Sequence, residues 1–189
     1  MRIIAGAFRG RKLHAPQGMN IRPTADRVRE AIFNILAQEV IDARVLDLFA
    51  GTGALGLEAL SRGAAQAVFV DQSSAAVRFI HDNARACGVR EQIRVIHQPV
   101  VQALPLLASR GLVPPPFDLV FIDPPYGTGQ AVQILPRLLE LATVTTGSMA
   151  VVEHHQSESL PMECALWLQE KQRRYGDTAV TLFRCGACG

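Results

Sequence analysis

Val45-Leu46-Asp47-Leu48-Phe49-Ala50-Gly51-Thr52-Gly53-Ala54-Leu55-Gly56 carries the chain from an apolar run through a glycine turn and out along a helix. Val45 to Phe49 reads as a strand, and Gly51 to Gly56 spells G-x-G-x-x-G immediately after it. Absent Cβ atoms let backbone amides approach a ligand closely, and turns of this kind serve several cofactors. Asp71 narrows the reading. It ends the next strand, Ala67-Val68-Phe69-Val70, twenty residues after Gly51, where a carboxylate can accept both hydroxyls of a ribose. The two features imply a βαβ unit that binds an adenosine-bearing cofactor at the switch point of an open sheet.

Working outward towards the C-terminus, strands and helices alternate. A helix over Leu55 to Ser61 is stopped by Gly63, and further helices are expected over 73–86, near 100–109 and near 130–141. Strands are expected at Ile93 to His97, 117–122 and Met149 to Val152. Five βα steps in succession predict an α/β fold with a mainly parallel sheet, and apolar strands are what two covered faces require. Lys171 to Tyr175 and Ala179 to Arg184, turning at Gly176-Asp177, should close the sheet as an antiparallel hairpin.

Towards the N-terminus the character changes. Residues 1–30 hold seven basic and two acidic residues, a net +5, whereas the remainder carries −3 of the overall +2. Short strands at 2–4 and 11–14 would form a β-arm displaying Arg9, Arg11 and Lys12. Arg22-Pro23-Thr24 then leads into a helix, with Thr24 as N-cap and Val28, Ala31, Ile32, Ile35 and Leu36 as its apolar stripe. Arg27 and Arg29 in its first turn oppose the helix dipole, as a phosphate-binding face would. The organisation expected is a basic arm and helix over 1–40, a catalytic domain over 41–185 and a tail over 186–189. No apolar run approaches the ~20 residues of a membrane span, so we expect a soluble cytoplasmic protein.

Asp123-Pro124-Pro125-Tyr126 supplies the chemistry. It follows the apolar run 117–122, and two prolines forbid the strand from continuing, leaving a carboxylate at a rigid strand end. Two cofactors compete for the glycine turn. A nicotinamide dinucleotide would need a pyrophosphate at the helix N-terminus and would leave this tetrapeptide idle. S-adenosylmethionine employs it. An exocyclic nucleobase amine is a poor nucleophile, because its lone pair is delocalised into the ring. If the Asp123 carboxylate and the Pro124 carbonyl each accept one N–H, the lone pair can turn towards a methyl group, while Tyr126 stacks on the base.

These residues are similar to a known family. Asp123-Pro124-Pro125-Tyr126 and Val45 through Gly53 resemble the catalytic and cofactor motifs of amino-group methyltransferases. Arg2-Ile3-Ile4-Ala5-Gly6, Phe8 to Leu13, Arg22 to Glu30 and Phe49 through Arg62 resemble, more narrowly, the RsmD family of bacterial small-subunit ribosomal RNA guanine-N2 methyltransferases. The resemblance runs from residue 2 to about residue 184. It implies a Rossmann-like class I methyltransferase fold with a seven-stranded sheet, S-adenosyl-L-methionine as cofactor, and a guanine of ribosomal RNA, within an assembled or assembling 30S particle, as substrate. By the same resemblance Asp47, Phe49, Ala50, Gly51, Thr52, Gly53 and Leu55 would hold the methionine end, with Asp71 on the ribose and Gln72 beside it. Asp123, Pro124 and Tyr126 would hold the amine, and Arg9, Arg11, Lys12, Arg22, Thr24, Arg27 and Arg29 the RNA. One departure stands out. Pro99 occupies the place where related enzymes offer Asp or Asn to the adenine, so adenine recognition falls to Gln98 or the Val100 amide.

Rival functions are an adenine-N6 DNA or RNA methyltransferase, a nicotinamide-dependent oxidoreductase and a non-catalytic RNA-binding assembly factor. The first would usually carry a separate target-recognition segment, which the chain does not show, and the last would tolerate loss of Asp123 or Tyr126. Cys185-Gly186-Ala187-Cys188 lacks the second pair that a structural zinc site needs. Neighbours on a strand face opposite ways, so His154-His155 cannot easily share a metal. We expect no metal and a monomer.

Overall fold

A computed structural model describes residues 1–16, 23–108 and 116–187, with the backbone alone at 23–25. Arg22 and Cys188 lie outside the described residues, as does the Thr24 side chain. The elements run in chain order α1 (Pro23–Leu36), β1 (Arg44–Leu48), α2 (Ala54–Ser61), β2 (Gln66–Asp71), α3 (Ser74–Cys87), β3 (Ile93–His97), α4 (Val100–Ala108), β4 (Phe117–Ile122), α5 (Gln130–Glu140), β5 (Val144–His155), β6 (Glu163–Cys164), β7 (Trp167–Tyr175) and β8 (Thr178–Cys185). One sheet holds all the strands in the order β3-β2-β1-β4-β5-β8-β7-β6. The pairs from β3 to β5 are parallel, and those among β5, β8, β7 and β6 antiparallel.

The expected class I arrangement is therefore present, with one more strand than the seven expected. The extra strand, β6, is two residues long, too short to carry a periodic signal. β5 is also much longer than Met149–Val152, because its polar ends continue the hydrogen-bonded ladder beyond the apolar centre. The N-terminal arm is not a pair of strands. A single antiparallel bridge, Arg2 to Lys12, joins its two limbs. Helix α1 begins at Pro23, so Thr24 lies inside the first turn rather than capping it.

Strand alternation sorts the core into two layers. Val45, Phe69, Phe121, Val151 and Leu182 face α1, α2, α3 and the arm. Leu46, Val70, Ile122, Val152 and Phe183 face α4 and α5. Trp167 is fully buried and donates its indole N–H to the Leu135 carbonyl (2.8 Å), tying the terminal hairpin to α5.

Three buried polar side chains strap the arm to the first layer. The Glu58 carboxylate accepts the amides of Ile4 (2.8 Å) and Ala5 (3.0 Å), Ser61 Oγ accepts that of Phe8 (2.9 Å), and Asn83 Oδ1 accepts that of His14 (2.6 Å). Asn83 also donates to the Thr52 carbonyl (2.9 Å), joining the arm to the glycine turn. Gly6, at φ +82°, passes so close to α2 that a Cβ would lie 1.8 Å from the Ser61 carbonyl oxygen. Only glycine lets the arm lie down there.

Candidate functional site

Parallel register builds the site. Asp47 on β1 pairs with Phe69 on β2 and with Phe121 on β4, and Phe121 pairs with Val151 on β5. Two residues further on, towards the carboxyl ends, come Asp71, Asp123 and Glu153. Side chains two apart on a strand share a face. Asp71, Asp47, Asp123 and Glu153 thus form a row of carboxylates across four adjacent strands, β2-β1-β4-β5, on the side of α1 and α2. All four line one cavity of about 430 Å³, with Met1, Arg29, Ile32 and Phe49 among its walls. A second cavity, of about 760 Å³, adjoins it at Phe49, Asp71 and Asp123 and extends to Gln72, Pro99, Val100 and Tyr126.

The glycine turn is folded on itself. Phe49, Gly51 and Gly53 have φ of +61°, +55° and +76°. Asp47 Oδ2 accepts the Gly56 amide (2.9 Å), and Asp71 accepts the amides of Gly51 (2.8 Å) and Ser73 (2.8 Å). Gly53 donates to the Ala50 carbonyl (2.7 Å) and Ala50 to that of Val70 (3.1 Å). Gly56 is required by contact, since a Cβ there would meet the Phe69 ring at 2.4 Å.

Burial governs the charge states. It pushes the Asp47 carboxyl up to about 7, with the Gly56 N–H pulling it back and the Asp71 charge adding to the rise. Asp123 is raised well above the usual carboxylate range, first by burial, then by the charges of Glu153 and Asp47. Glu153 is raised by burial, against a hydrogen bond from Tyr126. Tyr126 itself is half exposed, its hydroxyl 3.1 Å from Thr178 Oγ1 and its ring tilted over His155 at 5.7 Å between centroids. Thr178 opens β8, so the terminal hairpin props the ring at the mouth.

The residues expected to bind a cofactor come together. Asp47, Ala50, Gly51, Thr52 and Leu55 line the first cavity, Gln72 and Val100 the second, and Phe49 and Asp71 both. Gly53 lies in the turn behind them, and Gln98 lies on the surface, lining neither. The turn amides of Ala50, Gly51, Gly53 and Gly56 already have partners inside the chain, and the cavity is walled by acids. A diphosphate would find those four amides taken and four carboxyl groups facing it, whereas a ligand with a sulfonium and an ammonium group meets carboxyl oxygens that can receive it. The lining fits S-adenosylmethionine better than a dinucleotide.

Asp123, Pro124 and Tyr126 share the second cavity. Arg9, Arg11, Lys12 and Arg27 are exposed on the arm and α1. Arg29 is a correction: it is 4% exposed, donates to Asp26 (2.9 Å) and the Arg2 carbonyl (2.6 Å), and pairs with Glu58 at 3.6 Å. Its charge anchors the arm, because it falls beside Val28 on the inner face of α1. Sequence reasoning missed Glu58, Asn83 and Glu153. The first two are polar residues on helices with no local signal of burial. Glu153 could have been found by extending the alternation of β5 two residues past Val151. Among the described residues no cluster suits a metal ion, and Cys87, Cys164 and Cys185 are buried.

A family model described as Conserved hypothetical protein 95 matches residues 1–184. The chain is 36% identical over 189 residues to Ribosomal RNA small subunit methyltransferase D of Escherichia coli strain K12, covering 100% of this chain and 92% of that protein. Among solved structures, the Escherichia coli protein yhhF superposes with a TM-score of 0.85 at 37% identity, covering 100% of this chain and 99% of that one. An RNA methyltransferase from Salinibacter ruber, in complex with S-adenosyl-L-homocysteine, shares the fold at a TM-score of 0.63 and 16% identity, over 86% of this chain and 93% of that one.

Proposed function

We propose, from the premise that the chain belongs to the RsmD family, that it transfers a methyl group from S-adenosyl-L-methionine to the exocyclic N2 amine of a guanine in small-subunit ribosomal RNA. The observation that carries the reading is the row of four carboxylates in which Asp123 opens the rigid Asp123-Pro124-Pro125-Tyr126 turn. Asp47, Phe49 to Gly53 and Leu55 would hold the methionine end of the cofactor, Asp71 its ribose, and Gln72 and Val100 its adenine. Bound there, the cofactor supplies an electrophilic methyl group. Gln98 lies on the surface outside both cavities, so the adenine is assigned to Gln72 and Val100.

Asp123 and the Pro124 carbonyl accept the two amine hydrogens and turn the nitrogen lone pair out of the ring plane. Tyr126 stacks on the displaced base, its hydroxyl fixed by Thr178. Once methylated, the nitrogen holds an acidic proton, and the Asp123 carboxylate, its affinity for protons raised by burial, is placed to take it.

The arm and α1 within 1–40 guide the RNA through Arg9, Arg11, Lys12 and Arg27, and residues 41–185 perform the reaction. The substrate is the RNA of an assembled or assembling 30S particle, met by a monomer in the cytoplasm. No helix among the described residues is long and apolar enough to cross a membrane. The test is incubation with labelled S-adenosylmethionine and small subunits lacking this modification, followed by nucleoside analysis. N2-methylguanosine is expected. N6-methyladenosine, or no transfer with RNA binding intact, would overturn the reading.

A further inference from the structure

The geometry points to Glu153 as the residue that identifies the base: its carboxylate accepts the N1–H of guanine while Asp123 accepts from the N2 amine beside it. This rests on the methyltransferase reading above and adds the group that chooses guanine over adenine.

Ile122 and Val152 are the last residues that β4 and β5 pair with each other, so Asp123 and Glu153 stand side by side one step beyond. Both line the first cavity, and Asp123 also lines the second, where Tyr126 stands. Adjacent strands are about 4.8 Å apart, a spacing at which two carboxylates can receive neighbouring donors of one planar base. Guanine presents such donors, N1–H next to the N2 amine. Adenine presents an unprotonated N1 next to its amine, and that lone pair would face the Glu153 carboxylate. A site built to receive a hydrogen rejects the analogue that lacks it.

Beyond its interaction with Tyr126, Glu153 has no other employment among the described residues. Among the described residues no Lys or Arg pairs with it, and the nearby Arg29 is held by Asp26, Glu58 and the Arg2 carbonyl. Among the described residues the Tyr126 hydroxyl is the side chain that eases its charge. Glu153 is half-buried, and an acid withdrawn from water with no cation paired to it gains from a ligand that donates to it. Bracing Tyr126 is the plainer role for this residue, and the experiment separates the two.

Two RNAs are compared that differ only at the methylated position, first mapped with the wild-type enzyme. One carries guanine. The other carries 2,6-diaminopurine, which keeps the N2 amine but has an unprotonated N1. Wild type is expected to favour guanine in kcat/KM by at least about tenfold. Glu153→Gln, whose amide can donate to that N1, should bring the two within about threefold, and Glu153→Ala should also shrink the ratio. S-adenosyl-L-homocysteine binding at wild-type strength reports that each variant is folded. Equal loss on both RNAs, partial or complete, would overturn the assignment in favour of a brace. Weakened S-adenosyl-L-homocysteine binding with an unchanged ratio would overturn it in favour of a cofactor contact. Failure of the wild type to make N2-methylguanosine on the guanine RNA would overturn the underlying reading, and is seen before any variant is made.

Discussion

At the scale of single residues, Asp47 and Asp123 share a face and a fate, since burial makes both carboxyls reluctant to ionise. Their duties differ. Asp123 ends in the cavity, and Asp123→Ala is expected to cut methyl transfer at least about 100-fold. S-adenosyl-L-homocysteine affinity should change little; single-turnover transfer and equilibrium binding check the two halves, and equal loss of both would show that Asp123 holds the cofactor instead. Asp47 grips the Gly56 amide, and its carboxyl is raised from 3.8 to about 7. A folded pKa above the unfolded one means that the native state holds the proton more tightly. Its stabilising contribution is therefore complete below pH 3.8 and is lost as pH rises to about 7. Urea unfolding at about pH 5 and about pH 8 should show the wild type losing roughly 2–3 kcal/mol relative to Asp47→Asn across that range. A difference that does not vary with pH would refute this.

At the scale of elements, the arm is basic on its outside and polar at its seam. Gly6, Glu58, Ser61 and Asn83 fasten its backbone, leaving Arg9, Arg11 and Lys12 exposed. Replacing those three by Ala should lower the slope of log affinity for RNA against log salt by about two to three. Binding measured from low to moderate salt checks this, and an unchanged slope would make the arm purely structural. The strands and helices were largely legible, because period-two alternation and glycine or proline stops are local. The arm was not. The Ile3, Gly10 and Leu13 amides bond across the arm to Arg11, Ile3 and Met1, but those of Ile4, Ala5, Phe8 and His14 turn to α2 and α3, so strand-like alternation at 2–4 and 11–14 yields one bridge instead of a ladder. Arg29 was misplaced for a related reason: charge is visible in a sequence, but the partner that draws it inward, Glu58, lies on another helix.

At the scale of the whole molecule, four strand ends make one acidic cavity, and a ligand that fits it should stabilise the entire 189-residue fold. S-adenosyl-L-homocysteine at about 100 times its Kd should add about 2.7 kcal/mol, seen as a rise in Tm of roughly 5–10 °C. A nicotinamide dinucleotide should produce none; a shift with it instead would restore the oxidoreductase reading. The sequence by itself determined the alternating α/β pattern, the glycine turn, the aspartate at the end of β2 and the rigid Asp-Pro-Pro-Tyr end of β4, because each is written in neighbouring residues. Tertiary structure alone decided that these ends stand in the order β2-β1-β4-β5, that Glu153 joins them, and that the terminal hairpin steadies Tyr126 through Thr178. Strand order and register arise from packing between segments tens of residues apart, and no local pattern encodes which strand will lie beside which.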